Sequence, residues 1–204
     1  MSHMERNDNM RSRYKTSAVP VYQNSRKNIR KAGERSGLSE DVQTVLLNLM
    51  DYMEEKELKG ACHAVTSALY VALCEMGESP DICIGECRNQ VLFDHSWIVL
   101  NGKIIDMAIA MPLFDMITTG AVVADIDTAV MQKTKTAYGV SDGNGLDGLA
   151  NMITIVKFTE YMDNFPYEPD GLWGVVRKIL PDKYPFNKET AKLKYANVQR
   201  KICI

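Results

Sequence analysis

Apolar and polar positions alternate with two different periods along this 204-residue chain, and each change of period marks an element. Val42, Val45, Leu46, Leu49, Met50 and Met53 recur every third or fourth residue, the spacing of a single buried helical stripe. A helix is therefore expected from an N-cap at Ser39 to about Leu58. Lys59-Gly60 ends it, and Gly60 suits the position just past a last turn. The helical spacing resumes through Ala61, Val65, Ala68, Leu69, Ala72 and Leu73, predicting a second helix from Cys62 to about Met76. Its small residues allow close packing, and Gly77 and Pro80 stop it. The pattern then becomes strand-like over 81–88, 92–100 and 103–109. Asn101-Gly102, between the last two, is the strongest short-range hairpin signal available.

Beyond Ala110 the pattern is less regular. Residues 111–135 read as a helical excursion, with Ala121 to Met131 apolar enough for burial. The β-branched and aromatic residues of 152–162 read as another strand. Pro166, Pro169, Pro181 and Pro185 punctuate a loop-rich region around a short helix, Leu172 to Leu180, and Asn187 caps a final helix to about Arg200. At the other end, residues 1–37 carry nine Lys and Arg against three acidic residues, and 40–58 reverse the sign. This reads as a basic N-terminal arm (1–37), partly disordered, followed by one domain (38–204) whose first helix has an acidic face. The arm begins with Met-Ser-His-Met, which resembles a tag remnant. Only Tyr14 and Tyr22 interleave its charges, which argues against nucleic acid as its partner.

Composition narrows the function classes. Apolar content of 46%, charged content of 25% and a net charge of −2 are those of an ordinary globular domain, with no whole-chain case for nucleic acid or membrane. No apolar run approaches the roughly 18 residues of a membrane span, and no secretory leader is evident. The five cysteines are an odd number with no framework spacing, so reduced thiols and a cytoplasmic location are expected. With His3 set aside, only His63 and His95 remain as imidazole bases, and both lie between Gly60 and Ala110.

A cysteine attacks an acyl group as thiolate, so its pKa must be lowered. A helix N-terminus and a neighbouring imidazole both do this. Cys62 stands in the first turn of its helix, whereas Cys74 stands near the other end, where the dipole opposes an anion. The hairpin register tests the imidazole. With Asn101-Gly102 as a two-residue loop, Trp97 faces Asp106 and Val99 faces Ile104, so His95, Trp97, Val99, Ile104 and Asp106 share one sheet face. His95 and Asp106 are then diagonal neighbours, within about 5–8 Å, and the carboxylate can fix the ring's tautomer and stabilise its cation. Trp97 reads as core packing or as a wall shielding this pair. His63 points elsewhere on the helix, and Asp94 lies on the opposite, solvated face. Gly143, Gly145 and Gly148 spell G-x-G-x-x-G, but no βαβ unit surrounds them, so they read as a loop near the cleft. Cys83, Cys87 and His95 lack a fourth metal ligand, so no metal site is expected. Met107, Met111 and Met116 are placed to line an adaptable apolar pocket.

Three motifs in order, Gly60-x-Cys62-x-x-x-Thr66-x-x-Leu69, Gly85-Glu86, and Asp94-His95-Ser96-Trp97 followed by Gly102 and Asp106, resemble the transglutaminase-like branch of the papain-fold cysteine enzymes. The resemblance spans Gly60 to Ile109. It implies an α+β fold in which the helix carrying the nucleophile packs against an antiparallel sheet carrying base and acid. Cys62 matches the family's nucleophile, His95 its base and Asp106 its orienting acid, with Trp97 and Met107 placed to contact substrate. Gly60-Ala61-Cys62-His63 departs from the family's frequent Gly-Gln-Cys-Trp, and Asp106-Met107-Ala108 from its Asp-Pro-Thr; calcium-binding insertions are not evident. These departures point away from protein cross-linking. The expectation is a cysteine hydrolase, peptidase or deamidase, acting on an amide, peptide or thioester bond of a protein or peptide through an acyl-Cys62 intermediate, without cofactor. A non-catalytic protein-binding module of the same fold is the competing expectation. The oxyanion is expected to rest on the Cys62 N–H and one side chain the sequence does not identify.

Overall fold

The computed structural model describes residues 18–113 and 119–203, with side chains described from residue 26 onward. Two helices open it, α1 (Ala18–Arg35) and α2 (Glu40–Glu55). Ser39 caps α2 by accepting from the Val42 N–H at 3.3 Å, and Glu40 and Asp41 complement the dipole of its first turn. The expected stripe is buried: Val45, Leu46, Leu49 and Met53 have no exposed surface. Helix α3 (Cys62–Glu75) follows. Its residues from His63 to Leu69 and from Val71 to Leu73 are all buried, because α3 contacts α2 on one side and the sheet on another. No described helix is long and apolar enough to cross a membrane.

The sheet is built from β1 (Asp81–Arg88), β2 (Leu92–Leu100), β3 (Lys103–Asp106), β4 (Val122–Val123), β5 (Ile126–Asp127), β6 (Gln132–Lys133) and β7 (Ala137–Val140), in the order β6-β5-β4-β3-β2-β1-β7. These pairings are antiparallel, and β8 (Lys201–Cys203) joins β1 in parallel. The fold is thus α+β, with N-terminal helices packed on a sheet curled into a half-barrel. Asn101 and Gly102 both have positive φ, 52° and 73°, the geometry of a primed two-residue turn. The register that follows, Val99 opposite Ile104 and Ile98 opposite Ile105, is the one derived from the sequence. One face, with Ile82, Ile98, Leu100 and Ile105, belongs to the main core under the helices. The other face gathers Cys83, Cys87 and Trp97 with Phe93, Val99, Ile104 and Tyr138.

Five expectations are corrected. Residues 18–35 of the expected arm form α1, with Ile29 and Ala32 fully buried, so only its earlier part lies outside the described residues. The third strand ends at Asp106 and gives way to a 3-10 turn, Ala108–Ala110. The described part of 111–135 is no helix. Ala124 and Asp125, with φ of 49° and 69°, make the tight turn joining β4 to β5, so Ala121 to Ala124 is buried as strand and turn, while Val130 at the far end of the apolar run is exposed. Residues 152–162 fall in two helices, α4 (Gly148–Ile155) and α5 (Phe158–Asp163). Asp147 caps α4 by accepting from the Ala150 N–H at 2.8 Å, and Ala150 and Ile153 bury one face; cap and packing override strand propensity. Helix α6 (Leu172–Ile179) stands where expected, while α7 (Lys188–Lys194), capped by Asn187, stops short of Arg200.

Candidate active site

The path into α3 begins at Gly60, whose φ of +66° turns the chain after α2. Its N–H donates to Met111 O at 2.9 Å, and a side chain here would meet Leu113 Cβ at 2.9 Å. The next residue, Ala61, is the N-cap of α3 and offers no side-chain cap, so the first-turn N–H groups remain open to an anion. Cys62 is the first residue of that turn and is partly exposed. Cys83 and Cys87, by contrast, lie buried on one sheet face.

Strand β2 supplies His95, and β3 supplies Asp106. His95 Nε2 bonds Asp106 Oδ2 at 2.8 Å, and both residues are buried. Asp106 is held from two further directions: its Oδ1 accepts from the Ile109 N–H at 3.1 Å, and its Oδ2 also accepts from the Tyr138 hydroxyl at 2.9 Å. The 3-10 turn after β3 is what brings the Ile109 N–H back onto the carboxylate. Phe93 stands edge-on to the His95 ring with centroids 5.4 Å apart. Nε2 being taken, Nδ1 is the ring nitrogen left for Cys62.

His63 enters the same site. Its Nδ1 lies 2.7 Å from Ser96 Oγ, and it helps to lower the Cys62 thiol, as His95 does. The second turn of α3 is also stitched to β2, by Thr66 Oγ1, which donates to Ser96 O at 3.0 Å.

Electrostatics follow from this geometry. Burial pushes the Cys62 thiol up, but the positive charge of His95 and hydrogen bonds from His63 and His95 outweigh it and bring it down to about 5. Burial pulls His95 down, yet the charges of Asp106 and of the Cys62 thiolate, with their hydrogen bonds, raise it to about 10. The resting pair is therefore thiolate and imidazolium. The remaining thiols go the other way: burial raises Cys74 and Cys87, and burial with a hydrogen bond to Cys203 raises Cys83 to about 12.

Trp97 and Met107, expected at the substrate, are 2% and 1% exposed and offer no surface to one. Trp97 instead tilts against Tyr138, with centroids 5.2 Å apart, on the face that carries the His95–Asp106 pair. Met116 lies outside the described residues. Asp94 is half-buried and accepts from the Asp147 N–H at 2.6 Å rather than standing solvated. Among the described residues no three of His, Cys, Asp and Glu converge as metal ligands. A cavity of about 330 Å³ is lined by Met152, Val156, Tyr161, Asn164, Phe165 and Pro166. Tyr161, in its wall, lies under the Arg200 guanidinium at 4.8 Å, and burial raises its phenol to about 12 against that charge.

Sequence reasoning brought His95 and Asp106 together but missed the contact of His63 with Ser96 and that of Tyr138 with Asp106. Strand alternation carried a usable signal for Ser96, which must face opposite to His95 and hence toward α3. Tyr138 carried none, being 32 residues from Asp106 on a strand with no motif. Comparison with models of known families, with curated proteins and with solved structures finds no match to this chain.

Proposed function

We propose that this protein is a cysteine-dependent acyl-transfer enzyme that works as a hydrolase, with Cys62 as nucleophile, His95 as acid and base, and Asp106 orienting His95, on a transglutaminase-like core. The observation that carries the reading is a partly exposed cysteine at an uncapped helix start, acted on by an imidazole that is itself bonded to a buried carboxylate. The Cys62 thiolate attacks the carbonyl carbon of an amide, peptide or thioester, and the carbonyl π electrons move to oxygen. When they return, the bond to the leaving group breaks, and His95 Nδ1–H gives its proton to the departing amine or thiol. His95, now neutral, takes a proton from water as it attacks the acyl-Cys62 thioester. Cys62 leaves as thiolate, and the carboxylic acid product is released. Asp106 keeps the ring oriented and balances its charge throughout. Five free cysteines fit a reducing, cytoplasmic setting.

The test is competitive alkylation with limiting iodoacetamide near neutral pH, read by peptide mass mapping. Cys62 is expected to label far ahead of Cys74 and Cys203, and His95→Ala to abolish that preference. Equal labelling of the accessible thiols would leave the non-catalytic binding module as the better account.

A further inference from the structure

Two imidazoles act on one sulfur, and their partners differ in kind. His95 is backed by a carboxylate, which only accepts, so its Nε2 carries hydrogen and the ring is favoured as cation. His63 is backed by the Ser96 hydroxyl, which can donate. Ser96 O–H donating to His63 Nδ1 leaves the ring hydrogen on Nε2, the nitrogen not engaged by Ser96. The His63 backbone carbonyl accepts from Ser67 Oγ at 2.6 Å, and Thr66 Oγ1 donates to the Ser96 carbonyl, so the strand backbone that carries the hydroxyl is tied to the helix that carries the ring. Both side chains are buried, which strengthens any hydrogen bond they make to a developing charge.

We propose that His63 is the side-chain oxyanion donor of this site, its ring held by Ser96 Oγ at Nδ1 so that Nε2–H joins the Cys62 backbone N–H in holding the tetrahedral oxyanion. This rests on the acyl-transfer reading above and adds to it a catalytic residue and its positioning partner. As the Cys62 thiolate bonds the carbonyl carbon, the π pair passes to oxygen and the oxyanion accepts from Nε2–H. As the pair returns, the leaving group departs with the proton of His95. His63 neither gains nor loses a proton at any step, which separates its work from that of His95.

The experiment compares two reagents at about pH 8, where Cys62 is already thiolate. p-Nitrophenyl acetate acylates a thiolate through an oxyanion; iodoacetamide alkylates it without one. His63→Ala is expected to slow the p-nitrophenolate burst by about a hundredfold while slowing alkylation by less than about tenfold. His63→Gln, which keeps an N–H donor, is expected to recover part of the burst. Ser96→Ala, the smaller change should His63→Ala fold poorly, is expected to slow the burst by about tenfold at unchanged alkylation. Equal slowing of both reactions, or of neither, in both His63→Ala and Ser96→Ala overturns the assignment. His95→Ala distinguishes the two levels: if it leaves both reactions at parent rates, the acyl-transfer reading itself has failed.

Discussion

Tyr138 donates its phenolic hydrogen to Asp106 Oδ2 over 2.9 Å, on the same oxygen that holds His95 Nε2. Burial, then the Asp106 charge, raises the phenol well above its ordinary value, so it stays a donor across the working range. A carboxylate that is 1% exposed depends on such donors, because burial of an unmatched charge is costly. Tyr138→Phe is expected to destabilise the fold by about 1.5–3 kcal/mol, the worth of a hydrogen bond to a charged group. Urea unfolding measures it; a midpoint equal to the parent's would mean that the His95 and Ile109 contacts suffice.

The pH dependence of alkylation follows from the thiolate–imidazolium pair. Cys62 is depressed from 9.0 to about 5, so thiolate is present above that value and lost as pH falls through it. His95 is raised from 6.5 to about 10, so its charge is present below that value and lost as pH rises through it. Between the two the pair is intact, and the iodoacetamide rate at Cys62 is expected to be nearly flat from about pH 6 to about pH 9, falling on the acid side. An unperturbed thiol would instead gain about tenfold per pH unit over the lower part of that range. A rate that climbs steadily through neutrality sinks the ion pair.

What the sequence made legible was local. Asn101-Gly102 fixes its own turn type, and from that turn alternation alone carries His95 and Asp106 to one face, which is the contact observed at 2.8 Å. Helices α2 and α3 were legible because their stripes and stops lie within a single window of residues. The group around Cys62 was not, because its further members come from distant strands. Tyr138 reaches Asp106 across the sheet from β7, and His63 was misplaced because helical projection alone ignores the Ser96 hydroxyl that draws its ring inward.

The strand read into 152–162 shows how propensity is overruled, and it gives a stability test. Asp147 accepts from the Ala150 N–H while its own N–H donates to Asp94 Oδ2, so one residue both starts α4 and ties it to β2. Asp147→Ala keeps its own N–H and loses only the cap. It is expected to cost about 1 kcal/mol in urea unfolding, with amide exchange quickening first in α4. A cost confined to α5 or spread evenly through the chain would show that packing of Ala150 and Ile153, not the cap, sets where the helix begins.

Gly85 is where the closing strand depends on a missing side chain. It pairs with His95 on one side and with Cys203 on the other. A Cβ here would overlap the Cys203 carbonyl oxygen and meet Trp97 Cη2 at 3.1 Å, so β8 lies as close as it does because nothing projects from β1 at this point. Gly85→Ala should push β8 outward and cost about 1–3 kcal/mol, the range for overpacking a filled interior. The source of that cost is separable. In a chain ending at Arg200 the obstructing carbonyl is gone, and the same substitution should then cost much less, giving a coupling of about 1 kcal/mol or more in a double-mutant cycle. Equal costs in the two backgrounds would place the strain at Trp97 instead, and thus on the face that carries His95 and Asp106.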